Sequence, residues 1–172
     1  MTTIRILILS LFVAALFAAG PAAPVSAASM KVSAVLAPKE KMRLNFEDGS
    51  KHFVLFVRRE GAAEGSGPLA GAAVTEFGMH DITPGVSGDP RGYLVFTAPG
   101  GDKAYVKWLV RAIFVPNPGG KPKFKLLDYG HWEVVSGTGK FKGLKGVGTM
   151  TIKAASKTDR RFTLEGDLIP KS

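Results

Sequence analysis

From residue 28 onward the apolar residues of this chain alternate with polar ones instead of recurring every three or four positions. Neighbouring side chains of a strand point to opposite faces, so alternation marks strands with one buried and one wet face. Arg161 to Leu168 shows it most cleanly: Phe162, Leu164 and Leu168 point one way, and Arg161, Thr163, Glu165 and Asp167 the other. In Lys103 to Phe114, Ala104, Val106, Trp108 and Val110 share a face, with Tyr105, Lys107 and Leu109 opposite. In Lys123 to Ser136, Trp132 and Val134 oppose His131, Glu133 and Val135. His52 to Arg59, Ala72 to His80, Gly92 to Thr97 and Val147 to Lys153 are further strands, and Lys31 to Leu36 reads as an edge strand.

The connectors agree. Ala98-Pro99-Gly100-Gly101-Asp102 joins two strong strands as a tight turn, and Pro116-Asn117-Pro118-Gly119-Gly120 is another. Gly61 to Gly67 and Thr83 to Arg91 read as longer flexible loops. No connector is long and helical enough for a parallel crossover, so seven or eight strands in antiparallel order are expected, as a sandwich or barrel.

The first 27 residues stand outside this pattern. Arg5 precedes an apolar run, Ile6 to Ala19, then Gly20, Pro21 and Pro24, then Val25-Ser26-Ala27. Charged start, apolar middle and small-residue exit are the parts of a cleavable secretory signal. The run is shorter than the roughly 20 residues of a spanning helix and is closed by prolines. We therefore expect a signal peptide over 1–27 and one domain over 28–172, with a periplasmic or secreted location and no transmembrane anchor after cleavage.

There is no cysteine. This excludes disulfides, thiolate metal sites, a cysteine nucleophile and the lipid attachment of a bacterial lipoprotein. The net charge is +9, which favours anionic partners, and export turns that preference away from nucleic acid towards envelope lipids and acidic polysaccharides.

The most distinctive stretch is Val134 to Ile152, VVSGTGKFKGLKGVGTMTI. An aromatic strand around Trp132, then Gly-Thr-Gly-Lys-Phe and Gly143, Gly146 and Gly148-Thr149, resembles the pattern of allene-oxide-cyclase-like and dirigent-like (calycin-type) β-barrels, as do Gly92 to Thr97 with Trp108 upstream and Phe162 to Gly166 at the end. Small exported bacterial proteins of undescribed function carry a similar pattern. The resemblance, over roughly residues 68–168, implies an all-β antiparallel barrel of about eight strands that can oligomerise through its edges. It also implies an interior that binds an apolar molecule and, in the plant cyclases, uses an inward glutamate. Glu133 and Glu165 lie on strands but opposite the apolar side chains, so the alternation puts both outside. In the glycine-rich stretch, Gly137, Gly139, Gly143, Gly146 and Gly148 suit sharp bulges where strands turn. Gly-Thr-Gly-Lys lacks the spacing of a phosphate-binding loop.

Three functional readings follow. The leading one is a barrel that binds a small apolar or amphiphilic ligand, with Phe77, Tyr93, Tyr105, Trp108, Trp132 and His80 as candidate lining; His80-Asp81 precedes a flexible loop of the kind that carries function. The second is a basic envelope protein touching anionic lipid or polysaccharide through Lys140, Lys142 and Lys145, with Lys121, Lys123 and Lys125. The third is a cofactor-independent cyclase or isomerase. No cofactor or metal is expected: His52, His80 and His131 have no metal-ligand spacing, and no nucleophile elbow exists.

Overall fold

The computed structural model describes residues 27–169; the signal peptide expected over 1–27 lies, but for Ala27, outside them. Nine strands run in chain order: β1 (Ala28–Asn45), β2 (Phe53–Ser66), β3 (Ala73–Thr83), β4 (Ser87–Gly88), β5 (Arg91–Thr97), β6 (Lys103–Pro116), β7 (Phe124–Gly137), β8 (Lys145–Ala154) and β9 (Arg160–Ile169). Every pairing is antiparallel. The eight long strands form a closed ring in the order β1-β2-β3-β5-β6-β7-β8-β9, and β9 pairs back onto β1 from Ala28↔Leu168 to Leu36↔Arg160. The two-residue β4 fills the gap between β3 and β6 beyond the start of β5.

The alternation of the sequence becomes the inside and outside of this ring. Met30, Val32, Ala34 and Leu36 from β1 meet Val106, Trp108 and Val110 from β6, Trp132 from β7 and Phe162, Leu164 and Leu168 from β9 in one core. Trp108 and Phe162 meet edge to face at 5.9 Å, a geometry that adds to the area each ring buries. Glu133 and Glu165 face outwards, where they pair with Lys107 and Lys31.

Three elements differ from the sequence expectation. The presumed edge strand is the 18-residue β1, paired on both sides along its first half. Its apolar alternation stops at Leu36 because a register shift at Pro38/Glu40 and a string of charged residues follow. Gly61 to Gly67 is mostly strand, β2 reaching Ser66. The glycines after Trp132 are not all bulges. Gly146, Gly148 and Gly166 lie under the indole of Trp132, and a methyl group on any of them would come within 3.3 Å of that ring. They leave room for a buried tryptophan on neighbouring strands.

The ends of the barrel are unlike. At one end Leu69, Ala72, Ala98, Phe141 and Leu144, from the β2–β3, β5–β6 and β7–β8 connections, are buried in the core and seal it. Phe141 is brought in by a 3-10 turn, Gly139–Phe141. The opposite end is unroofed. β8 and β9 stop there, while β1 runs on from Ala37 to Asn45 paired only to β2, and Phe124 to Leu127 of β7 pair only to β6. Two hairpin arms thus rise on either side of a low notch formed by the β8–β9 turn.

Candidate functional site

The inward register of β2, β3, β7 and β9 carries charge near the open end. Arg59 lies directly across from Glu76. Its Nη1 donates to Glu76 Oε2 at 2.6 Å, and both side chains are almost wholly buried. His80, two repeats of the pleat further along β3, has Nε2 3.1 Å from both Glu76 Oε1 and Arg59 Nη1. That nitrogen donates to Glu76 in one tautomer or accepts from Arg59 in the other. Gly78, between them, makes the arrangement possible: a Cβ there would lie 2.4 Å from Glu76 Oε1 and 2.9 Å from His80 Nε2.

Asp128 enters from β7, pairing with Ala112 on one side and Ile152 on the other. Burial pushes its carboxyl up to about 6, and the nearby Arg160 guanidinium only partly offsets this. Arg160 opens β9 at the notch. Burial and the field of Arg59 lower its pKa, while Asp128, Asp159 and Glu76 act in the other direction. Trp108 closes the cluster from below, its ring 5.9 Å from that of His80. Three buried atoms here have no hydrogen-bond partner among the described residues: Arg59 Nε, Trp108 Nε1 and Asp128 Oδ1. Buried polar atoms without partners are rare, and these three belong to one cluster offering two donors and one acceptor.

Above the cluster the inward register turns apolar. His80 pairs with Leu55 and Ile82 with Phe53, while Phe114 pairs with Leu126 and Pro116 with Phe124. Phe114 and Phe124 meet edge to face at 6.5 Å. On the β1 arm, Lys41 and Arg43 share the inward register with Val57 and Leu55, and the Arg43 guanidinium lies 3.7 Å over the Phe53 ring. Register thus places an apolar ring, here called the vestibule, over a charged floor at this end, with additional cations on one side. On the rim outside it, His52 stacks on Phe46 at 3.9 Å and bonds Asp81 at 2.5 Å.

The residues expected from sequence divide between two surfaces. His80, Trp108 and Trp132 are inside, the first two in the cluster and Trp132 against its glycines. Phe77 and Tyr93 are cross-strand partners on the outer wall, about half exposed, and Tyr105 is half-buried on the outward side of β6. Phe77 lines an outer groove of about 540 Å³ with Met42, Phe56, Met79 and Arg91. A second groove of about 560 Å³ crosses the outer faces of β1, β7, β8 and β9. Asp81 pairs with His52 rather than with its neighbour His80, and His131 is exposed. The lysines split by end: Lys140, Lys142 and Lys145 surround the sealed end, and Lys121, Lys123 and Lys125 belong to the β6–β7 arm at the open end.

Arg59, Glu76, Asp128 and Arg160 did not emerge from the sequence. Their signal was parity: Glu76 falls in step with Val74, Asp128 with Trp132, Arg59 with Val57 and Arg160 with Phe162. A charged residue at an inward position is a polar group that burial must compensate.

No protein-family model matches the chain, and no curated protein matches it by sequence. Solved structures do. A protein of unknown function from Clostridium acetobutylicum shares 9% identity, with a TM-score of 0.50 over 82% of this chain and 98% of that one. The pterocarpan synthase dirigent protein matches at 11% identity and TM-score 0.49, covering 92% of this chain and 100% of that one. A conserved protein of unknown function from Rhodopseudomonas palustris matches at 12% and 0.46, over 83% and 98%. The likeness to the clostridial protein is one of fold. The closed antiparallel ring of eight long strands is consistent with the allene-oxide-cyclase- and dirigent-like barrel that the sequence resembles.

Proposed function

We propose that this barrel binds a small amphiphilic molecule with an acidic head, taken in through the open end. The observation that carries the reading is the set of three unpartnered buried atoms, Arg59 Nε, Trp108 Nε1 and Asp128 Oδ1, beneath an apolar vestibule. An acid head accepts from the two donors, and in its protonated form, or through a hydroxyl, it satisfies Asp128. The apolar body lies against Leu55, Phe114, Phe124 and Leu126. Arg59 and Arg160 are matched by Glu76 and Asp128, so Lys41 and Arg43 leave the vestibule net positive and draw anions in.

The test is calorimetric titration with dodecanoate, and with dodecanol as the uncharged counterpart. We expect dodecanoate to bind at least about tenfold tighter, a difference of about 1.4 kcal/mol, and Lys41→Met with Arg43→Met to remove most of that preference. Equal affinity for the two, or no binding of either, overturns the reading.

A second reading, a cofactor-independent isomerase or cyclase, is favoured by one observation. Asp128, raised to about 6, and the Glu76–His80 pair face the same vestibule, so a proton donor and an acceptor are both present. Export is part of the proposal too and rests on residues 1–27. N-terminal sequencing of the protein recovered from the periplasm or medium should begin at Ala28 or one residue later, and a mature chain that keeps Arg5 refutes it.

A further inference from the structure

The β6–β7 arm is unlike the rest of the surface. Residues 112–127, AIFVPNPGGKPKFKLL, hold three lysines and no acid. Ile113, Val115, Phe124, Leu126 and Leu127 are all exposed. Register assigns them to both faces: Ile113, Val115 and Leu127 point outwards, and Phe124 and Leu126 inwards. Single exposed apolar residues are ordinary, but a contiguous cluster of them marks an interaction surface. The inward pair faces the vestibule, while the outward three, beside three lysines and no acid, suit the boundary between apolar chains and anionic headgroups. Pro116, Pro118 and Pro122 remove three backbone donors near the tip, which lowers the cost of placing it where water is scarce. Lys121, Lys123 and Lys125 sit where a tip entering the headgroup layer would meet phosphates.

We infer that the β6–β7 arm docks the open end of the barrel onto an anionic phospholipid bilayer, the tip entering the headgroup layer. The β1–β2 arm stands across the notch from it with Met42, Leu44 and Phe46 exposed. Its turn carries Glu47 and Asp48 as well as Lys51, so its charge is not one-sided and the inference rests on the β6–β7 arm. This docking is independent of any ligand in the vestibule and would persist without one. It also narrows the six lysines singled out by sequence to three, because Lys140, Lys142 and Lys145 lie at the sealed end.

The experiment is co-sedimentation of the full chain with vesicles of phosphatidylglycerol or of phosphatidylcholine. Residues 1–26 are common to all variants, so differences between variants report on the arm. We expect binding to phosphatidylglycerol that weakens steeply with salt. Lys121→Glu with Lys123→Glu should lose about tenfold or more, and so should Val115→Glu with Leu127→Glu, whose side chains face away from the vestibule. Lys140→Glu with Lys142→Glu should stay within about twofold of the parent, as basic residues remote from the contact plane. Equal binding to both lipids, insensitivity to salt, arm variants that bind like the parent, or a loss centred on Lys140 and Lys142 would each overturn the inference. If one arm variant fails to give the parent circular dichroism spectrum, the other arm variant, set against the Lys140 and Lys142 control, decides.

Discussion

Asp128 is a carboxyl that the barrel makes costly to ionise. Its pKa rises from 3.8 to about 6 because it is buried, with one oxygen unpartnered. Between those values the folded chain holds a proton that the unfolded chain has released, so this residue's share of stability falls as pH rises through that window. The span corresponds to at most about 3 kcal/mol. Asp128→Asn should therefore match the parent in urea unfolding near pH 4 and exceed it by about 1–3 kcal/mol at pH 7. A variant less stable than the parent at pH 7 would show that the carboxylate's attraction to Arg160 outweighs its burial. Parity alone sufficed to put Trp132, Val134, Phe162 and Leu164 inside and Glu133 and Glu165 outside. It failed at Glu76 and Asp128 because the cations that offset their charge, Arg59 and Arg160, lie on other strands and are invisible to a pattern read along one.

At the scale of the element, strand identity was legible and strand extent was not. The seven strands read from Ala72 to Leu168 and around His52 are all present, most within two residues of their expected ends. β1 overran because its outer half is held by β2 across the register Ala37↔Glu60 to Asn45↔Phe53, and β2 overran at its other end because Ala63 to Ser66 pair with Ala34 to Lys31; neither extension rests on alternation alone. Trp132 shows the same dependence. It is buried because β8 and β9 offer Gly146, Gly148 and Gly166 beneath it, and its Nε1 donates to the Glu165 carbonyl at 3.3 Å. A Cβ on Gly166 would stand 2.9 Å from the indole and 2.3 Å from the Val147 carbonyl. Gly166→Ala should accordingly lower stability by about 1–3 kcal/mol through overpacking, read by thermal melting. Trp132→Phe in the Gly166→Ala background should recover part of it. Full additivity of the two changes would mean that the ring and the glycine are not coupled.

For the whole molecule, closure is the decisive act. It joins Ala28 to Leu168, contacts about as distant in sequence as the domain allows, and such topologies fold in milliseconds to seconds rather than microseconds. Stopped-flow refolding monitored by Trp108 and Trp132 should fall in that slower range. Removing residues 160–172 should abolish cooperative unfolding altogether, because both β1 and β8 then lose a partner. The closed ring also bears on self-association: along most of the described barrel wall the long strands are paired on both sides, and the longest unpaired edges are those of the arms, so copies meeting through strand pairing would use those first. The unequal ends have a kinetic consequence. With apolar packing across one end, a molecule that enters must leave by the door it came through. Occupancy is then first in, last out: a second molecule cannot push the first onward, exchange must wait for spontaneous departure, and whatever stands before that single door sets the rate of both arrival and release.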